Sequence, residues 1–188
     1  WLFAIIALAF FFDNIDLATM AFLLGSIKAE FGLTTTEAGL LGSASFVGMA
    51  FGALLSGALA DRFGRKPVFQ TSMIIWGAAS YLCSIAPDAT WLAVFRVLVG
   101  FGMGMETPLA QTILSEYIPT RSRGKYLALM EGNWPLAFIC AGILSHYILS
   151  HYDWRTVFFI EAFPAFFVLT VRWLVPESPR WLDSRGRH

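Results

Sequence analysis

Apolar residues run through this chain in six long blocks separated by short polar breaks, at roughly 1–27, 38–60, 68–86, 91–117, 125–150 and 155–175. A hydrocarbon core of about 30 Å needs about 20 apolar helical residues to cross it. Each block therefore predicts one membrane-spanning helix. Strands would show shorter segments of alternating polarity, which these blocks do not. The breaks carry helix-stopping residues: Gly32 with Thr34–Thr36, Gly64 with Pro67, Pro87 with Asp88, Pro119 with Gly124, and Tyr152 with Asp153. The pattern predicts an all-α membrane protein with a six-helix bundle over 1–175 and a polar segment over 176–188.

The charges in the breaks add an orientation. Between the second and third blocks lie Arg62, Arg65 and Lys66; between the fourth and fifth lie Arg121, Arg123 and Lys125; after the sixth come Arg180, Arg185 and Arg187. The alternate breaks hold only Lys28 and Arg155. Short loops rich in Lys and Arg stay in the cytoplasm, so both ends of the segment are expected there, in a plasma or inner membrane. Residues 38–60 and 68–86, on either side of the first basic turn, contain no Asp, Glu, Lys, Arg or His.

Composition agrees. Of 188 residues, 57% are hydrophobic and 14% charged, with mean hydropathy +0.64. A soluble domain of this length needs more polar surface. The formal net charge of zero gives no basic footprint for nucleic acid; the bilayer is the expected partner. Cys83 and Cys140 both fall within apolar blocks and read as small packing residues. No metal-ligand spacing, disulfide framework or cofactor motif is present. Gly100-Phe-Gly102-Met-Gly104 lies in mid-helix with no preceding strand, so it is not a nucleotide loop. The first block is too long for a signal peptide and lacks a charged leader. It is already apolar at Trp1, so further residues are expected upstream.

Within the blocks, small residues recur every four positions, Gly48 with Gly52 and Ala53 with Gly57, and Gly100 and Gly104 repeat the spacing from Arg96. Such faces let helix backbones approach closely in lipid. Ionisable residues there are functional candidates by default. Deep enough to qualify are Asp13, Asp16, Arg96, Glu106, Glu131 and Glu161, five acids against one base, while Arg172 also falls within the sixth block. Asp13 and Asp16, three apart, share a helix face. Two carboxylates so close in low dielectric do not readily both ionise, which suits a proton carrier; alternatively one pairs with Arg96 to hold helices together. Arg96 is either that counter-ion or a clamp for an anionic substrate, since its fork binds carboxylates bidentately.

Glu106 lies ten residues on, about three turns away. Pro108 just past it weakens the helix and leaves a carbonyl near Thr107 available for bending or binding. Glu131-Gly-Asn133-Trp134-Pro135 sets carboxylate, amide and indole beside a helix-weakening Gly/Pro pair. Broken helices at the midplane are where transporters place substrates. Glu106, Glu131, Asn133 and Trp134 are therefore the expected substrate-binding residues, with Trp134 equally readable as packing. Glu161, before Pro164, reads as solvated at the outer interface or, alternatively, as a coupling group; His146 and His151 read as solvated. Ser145 and His146 are adjacent and point in different directions on a helix. No nucleophile–base pair exists, so an enzyme is not expected.

Four motifs in order resemble the major facilitator superfamily. They are Gly57-Ala-Leu-Ala-Asp61-Arg62-Phe-Gly64-Arg65-Lys66; Arg96 followed by Gly100-Phe-Gly102-Met-Gly104; Ser115-Glu116-Tyr-Ile-Pro119 with Arg123-Gly124; and Pro176-Glu177-Ser178-Pro179-Arg180-Trp181-Leu182. The resemblance implies the amino-terminal six-helix half of a twelve-helix transporter, built as two inverted three-helix repeats. The partner would be the carboxy-terminal half or a second copy. It also implies that Asp61, Arg62, Arg65, Glu116, Glu177 and Arg180 form a cytoplasmic gating network, and that Asp16 and Arg96 take the places of the titrating acid and its partner. The sugar-porter and metabolite-symporter branches are the most similar. Asp13-Asn-Ile-Asp16 resembles aromatic-acid and nicotinate-type proton symporters, which usually carry a small residue where Asn14 stands. The resulting expectation is proton-coupled symport of a small organic acid or related metabolite. Sugar or polyol transport, organic-cation transport, and a receptor without flux are the alternatives.

Overall fold

The computed structural model describes residues 2–119 and 121–166. Seven helices follow in order: α1 (Leu2–Phe31), α2 (Thr35–Phe63), α3 (Arg65–Ser84), α4 (Ala89–Tyr117), α5 (Arg123–Glu131), α6 (Asn133–Leu149) and α7 (Trp154–Glu161). A 3-10 turn closes the series at Phe163–Phe166. The described residues contain no strand.

Helices α2 and α4 start at caps a few residues ahead of their apolar blocks. Thr34 and Glu37 form a capping box at α2: the Glu37 backbone N–H donates to Thr34 Oγ1 at 3.2 Å, and the Thr34 N–H to Glu37 Oε2 at 2.8 Å. Asp88 Oδ1 accepts the N–H groups of Thr90 and Trp91 at 2.8 and 2.9 Å. Such a cap contributes about 1 kcal/mol. At Gly64, φ is 101°, in a region that side chains resist; this turns α2 into α3 in a single residue.

The fifth block is one span in two pieces. Pro135 has no N–H to offer the Glu131 carbonyl four residues back, and the helix breaks at Gly132 between α5 and α6. Pro108 acts differently. Helix α4 continues through it, and the carbonyl left over is that of Gly104, four residues back, not one near Thr107. The sixth block is helical over Trp154–Glu161, after which Pro164 lies in the 3-10 turn; residues 167–175 of that expected span lie outside the described residues.

Four described helical stretches are long and apolar enough to cross a membrane: Phe3–Phe31, Thr35–Phe63, Ala89–Ser115 and Arg123–Leu149. Helix α3 has 20 residues, about 30 Å at 1.5 Å per residue, but it is more polar. Its Ser72, Ser80 and Ser84 are buried against the bundle and not exposed to lipid.

Helix α4 is central. Its glycines face those of α2 so closely that backbones touch. A Cβ at Gly48 would meet the Phe101 nitrogen at 2.7 Å, and one at Gly100 would meet the Ser45 carbonyl carbon at 2.6 Å. The Ala53–Gly57 pair, displaced by one residue round the helix, does not take part: Gly57 faces open space.

Two apolar cores result. One joins Ile6, Phe10, Phe69, Leu109, Ile113 and Met130. The other joins Leu23, Ile27, Trp76, Leu92, Val99 and Phe158. Buried polar side chains lie along the seam between them.

Candidate functional site

Asp16 of α1 is the centre of that seam, with no exposed surface. Its Oδ1 accepts from Arg96 Nη1 at 2.5 Å. Its Oδ2 accepts from Trp76 Nε1 at 3.2 Å and from the Ser80 hydroxyl at 3.0 Å, both on α3. Arg96, equally buried, also donates from Nε to Ser45 Oγ of α2 at 3.0 Å. Its guanidinium carbon stands 5.4 Å from the Phe158 ring centroid of α7. One carboxylate and one guanidinium thereby join five helices. In this conformation Arg96 is the counter-ion of Asp16, and its Nη2 has no hydrogen-bond partner among the described residues.

Glu161 of α7 enters the same cluster. It is 5% exposed, and Thr19 lies with its hydroxyl 2.6 Å from Glu161 Oε1 and 2.9 Å from the Asp16 carbonyl. The expectation that Glu161 is solvated at the outer interface is therefore wrong. The helix phase of α7 turns it inward, and the charges of Asp16 and Arg96 both bear on it. Thr19, Ser45, Trp76 and Ser80 were not expected in the site either. Their only sequence signal is a polar or indole residue at mid-span, which packing residues share.

Asp13 does not join this cluster by any hydrogen bond. Both its oxygens are buried without a partner, and so are those of Glu106 on α4. Of the two readings left open for these acids, Asp16 follows the one that pairs an acid with Arg96, and Asp13 is left without a hydrogen-bond partner.

The remaining expected substrate residues lie apart from Glu106 in bonding. Glu131 is exposed and accepts from Gln111 Nε2 at 3.1 Å, linking α5 to α4. Asn133 Nδ2 donates to the Ala7 carbonyl at 3.3 Å, fastening the helix break to α1. Trp134 is 44% exposed and stacks on Phe138, one turn along the same helix, at 5.5 Å. No hydrogen bond joins these three to Glu106 among the described residues.

At the α2–α3 turn, Asp61, Arg62 and Arg65 flank Gly64, and each has an interaction partner. Glu177 and Arg180 lie outside the described residues, as does the side chain of Glu116. At the opposite end, Glu30 of α1 accepts from Trp154 Nε1 at 2.5 Å and from Arg155 Nη1 at 2.7 Å. Arg155 also reaches Asp153 at 3.0 Å and the Ala86 carbonyl at 3.4 Å. No group of three metal-binding side chains occurs among the described residues.

Comparison with known proteins places this geometry. The chain is 41% identical over 183 residues to the niacin transporter NiaP of Acinetobacter baylyi, covering 97% of the chain and 42% of that protein. It is 35% identical over 190 residues to the 4-hydroxybenzoate transporter PcaK of the same organism, covering 100% of the chain and 42% of that protein. The chain thus spans less than half the length of these curated relatives. Among solved structures, the proton:xylose symporter XylE superposes with a TM-score of 0.87 at 22% identity, over 99% of this chain and 46% of that one. A likeness at that identity speaks for the fold. These proteins are transporters and not enzymes, and the fold is a bundle of transmembrane helices forming half of their architecture. With residues 4–187 matching its sequence pattern, the chain belongs to the Major Facilitator Superfamily.

Proposed function

We propose that this chain is one six-helix half of a secondary active transporter that couples uptake of a small organic acid to protons by alternating access. The observation that carries the reading is the fully buried Asp16–Arg96 pair, tied into five helices. While Asp16 is ionised, it holds the guanidinium. A proton on Asp16 removes most of that attraction and frees a planar fork suited to a substrate carboxylate. Nη2 of Arg96 is the donor already available for it. Niacin and 4-hydroxybenzoate, named for two relatives, are both small aromatic carboxylates and support an aromatic acid as cargo.

In this reading Asn133 and Trp134, beside the Gly132–Pro135 break, border the substrate path together with Glu131. Asp61, Arg62 and Arg65 act with Glu116, Glu177 and Arg180 as a cytoplasmic latch. Both ends of the segment lie in the cytoplasm. An opposing six-helix bundle, the carboxy-terminal half or a second copy, closes the site, because alternating access rocks one bundle against another.

The test uses the complete carrier in proteoliposomes with nicotinate and 4-hydroxybenzoate as probes. Asp16→Asn is expected to lower uphill accumulation under an imposed pH gradient sharply while some exchange of bound substrate persists. Unchanged uphill uptake in that variant would sink the coupling role.

A further inference from the structure

The Asp16 cluster leaves two buried carboxyls unused. Asp13 on α1 and Glu106 on α4 are 5% and 1% exposed, and none of their four oxygens meets a hydrogen-bond donor. Helix packing brings them together. Ala9 and Phe10, one turn before Asp13, share an apolar core with Met105 and Leu109, which flank Glu106. The charge of Glu106 bears on Asp13, and that of Asp16 does so less strongly.

Among the described residues no cation is bonded to this pair. Arg96 is bonded to Asp16 and Ser45. Other titratable groups on the packed helices include Tyr81 and Cys83 on α3, Arg123, Lys125, Tyr126 and Glu131 on α5, Cys140, His146 and Tyr147 on α6, and Glu161 on α7; none of them is hydrogen-bonded to Asp13 or Glu106. Glu131 is held by Gln111 and Glu161 by Thr19. Helix α2 has no titratable group between residues 38 and 60.

An isolated carboxylate transferred out of water is so costly that it takes up a proton instead. Two neighbouring ones without a cation do not both ionise. We infer that Asp13 and Glu106 form a proton-carrying carboxyl pair separate from the Asp16–Arg96 pair, with Glu106 serving the proton and not the cargo. The pair holds at least one exchangeable proton, which either carboxyl receives from water when its end of the path opens and returns to water when the other end does. This rests on the reading of the chain as part of a proton-coupled carrier, so the experiment has one arm that needs no cargo.

That arm is the infrared signal of protonated carboxyl groups in the complete carrier, purified without substrate. A Glu161→Gln background removes the contribution of that side chain. Difference spectra at neutral pH are expected to show carboxyl intensity lost in Glu106→Gln and in Asp13→Asn, and retained in Glu106→Asp, which keeps an acid and controls for folding. No lost intensity in either amide variant overturns the proposal. So does loss of the parental signal when sodium replaces choline at fixed pH, which would make the pair a sodium site.

In the second arm nicotinate accumulation is driven by one unit of pH gradient. Removing one coupled proton lowers the limiting accumulation ratio by about tenfold, and Glu106→Gln is expected to show that drop. Accumulation equal to that of the parent protein overturns the proton role whatever the infrared shows. If the parent shows no gradient-driven uptake of either aromatic acid, the symport reading fails, while the infrared arm still decides the state of the pair.

Discussion

At the scale of single residues, the fate of each membrane acid is set by its donors. Asp16 has three, from Arg96, Trp76 and Ser80; Asp13 and Glu106 have none. Arg96 illustrates the energetic asymmetry. A buried ion pair adds little against an apolar replacement, yet removing one partner leaves an uncompensated charge and costs about 3–5 kcal/mol. Arg96→Ala is therefore expected to lower the thermal midpoint of the complete carrier sharply, and Arg96→Ala combined with Asp16→Asn to recover much of it. Differential scanning fluorimetry in detergent reads both. A double variant as unstable as the single one would mean that Arg96 holds the bundle through Ser45 and Phe158 instead of through Asp16.

At the scale of elements, the α2–α4 crossing makes the sharpest demand on sequence. Side chains at Gly48 and Gly100 have no room, because the opposing backbone already occupies the space. Gly48→Ala and Gly100→Ala are each expected to destabilise the protein by about 1–3 kcal/mol, the usual cost of overpacking. Gly57→Ala, in open space, should be close to neutral. Size-exclusion profiles after heating distinguish the two groups. The four-residue stripe was legible in the sequence, but its register was not. The row of Gly48 and Gly52 continues at the buried Ser56, and Gly57, one residue further round the helix, contacts nothing.

The same limit applies to Glu161. An acid in an apolar block is conspicuous, and Asp16 and Arg96 were legible for that reason. Whether the block turns the acid inward depends on the phase of α7 against α1 and α3. That phase is set by contacts of Phe158 and Val157 with residues far away in sequence. The helix spans were legible because bilayer thickness fixes their length. The break at Gly132 was legible too, because proline chemistry is local.

At the scale of the whole molecule, the charge asymmetry of the loops predicts which ends face the cytoplasm. Single-cysteine variants test this in a background where Cys83 and Cys140 are replaced by alanine. A membrane-impermeant maleimide applied to intact cells is expected to label His151→Cys directly and Ser122→Cys only after permeabilisation. The reverse pattern would invert the orientation and move the proposed latch to the outer face. The apolar side chains left exposed on α2 and α6, such as Phe51, Leu54, Ile139 and Ile143, are compatible with lipid or with an opposing bundle.

The backbone contact between α2 and α4 carries a mechanical consequence. Helices that meet through long side chains slide by letting rotamers yield, whereas glycine against carbonyl leaves nothing to yield. These two helices therefore travel as one plate. Arg96 is mounted on that plate and Asp16 on α1 beside it, so the ion pair bridges a stiff part and a separately seated one. Releasing that bridge alters the seam between two bodies while each body keeps its shape.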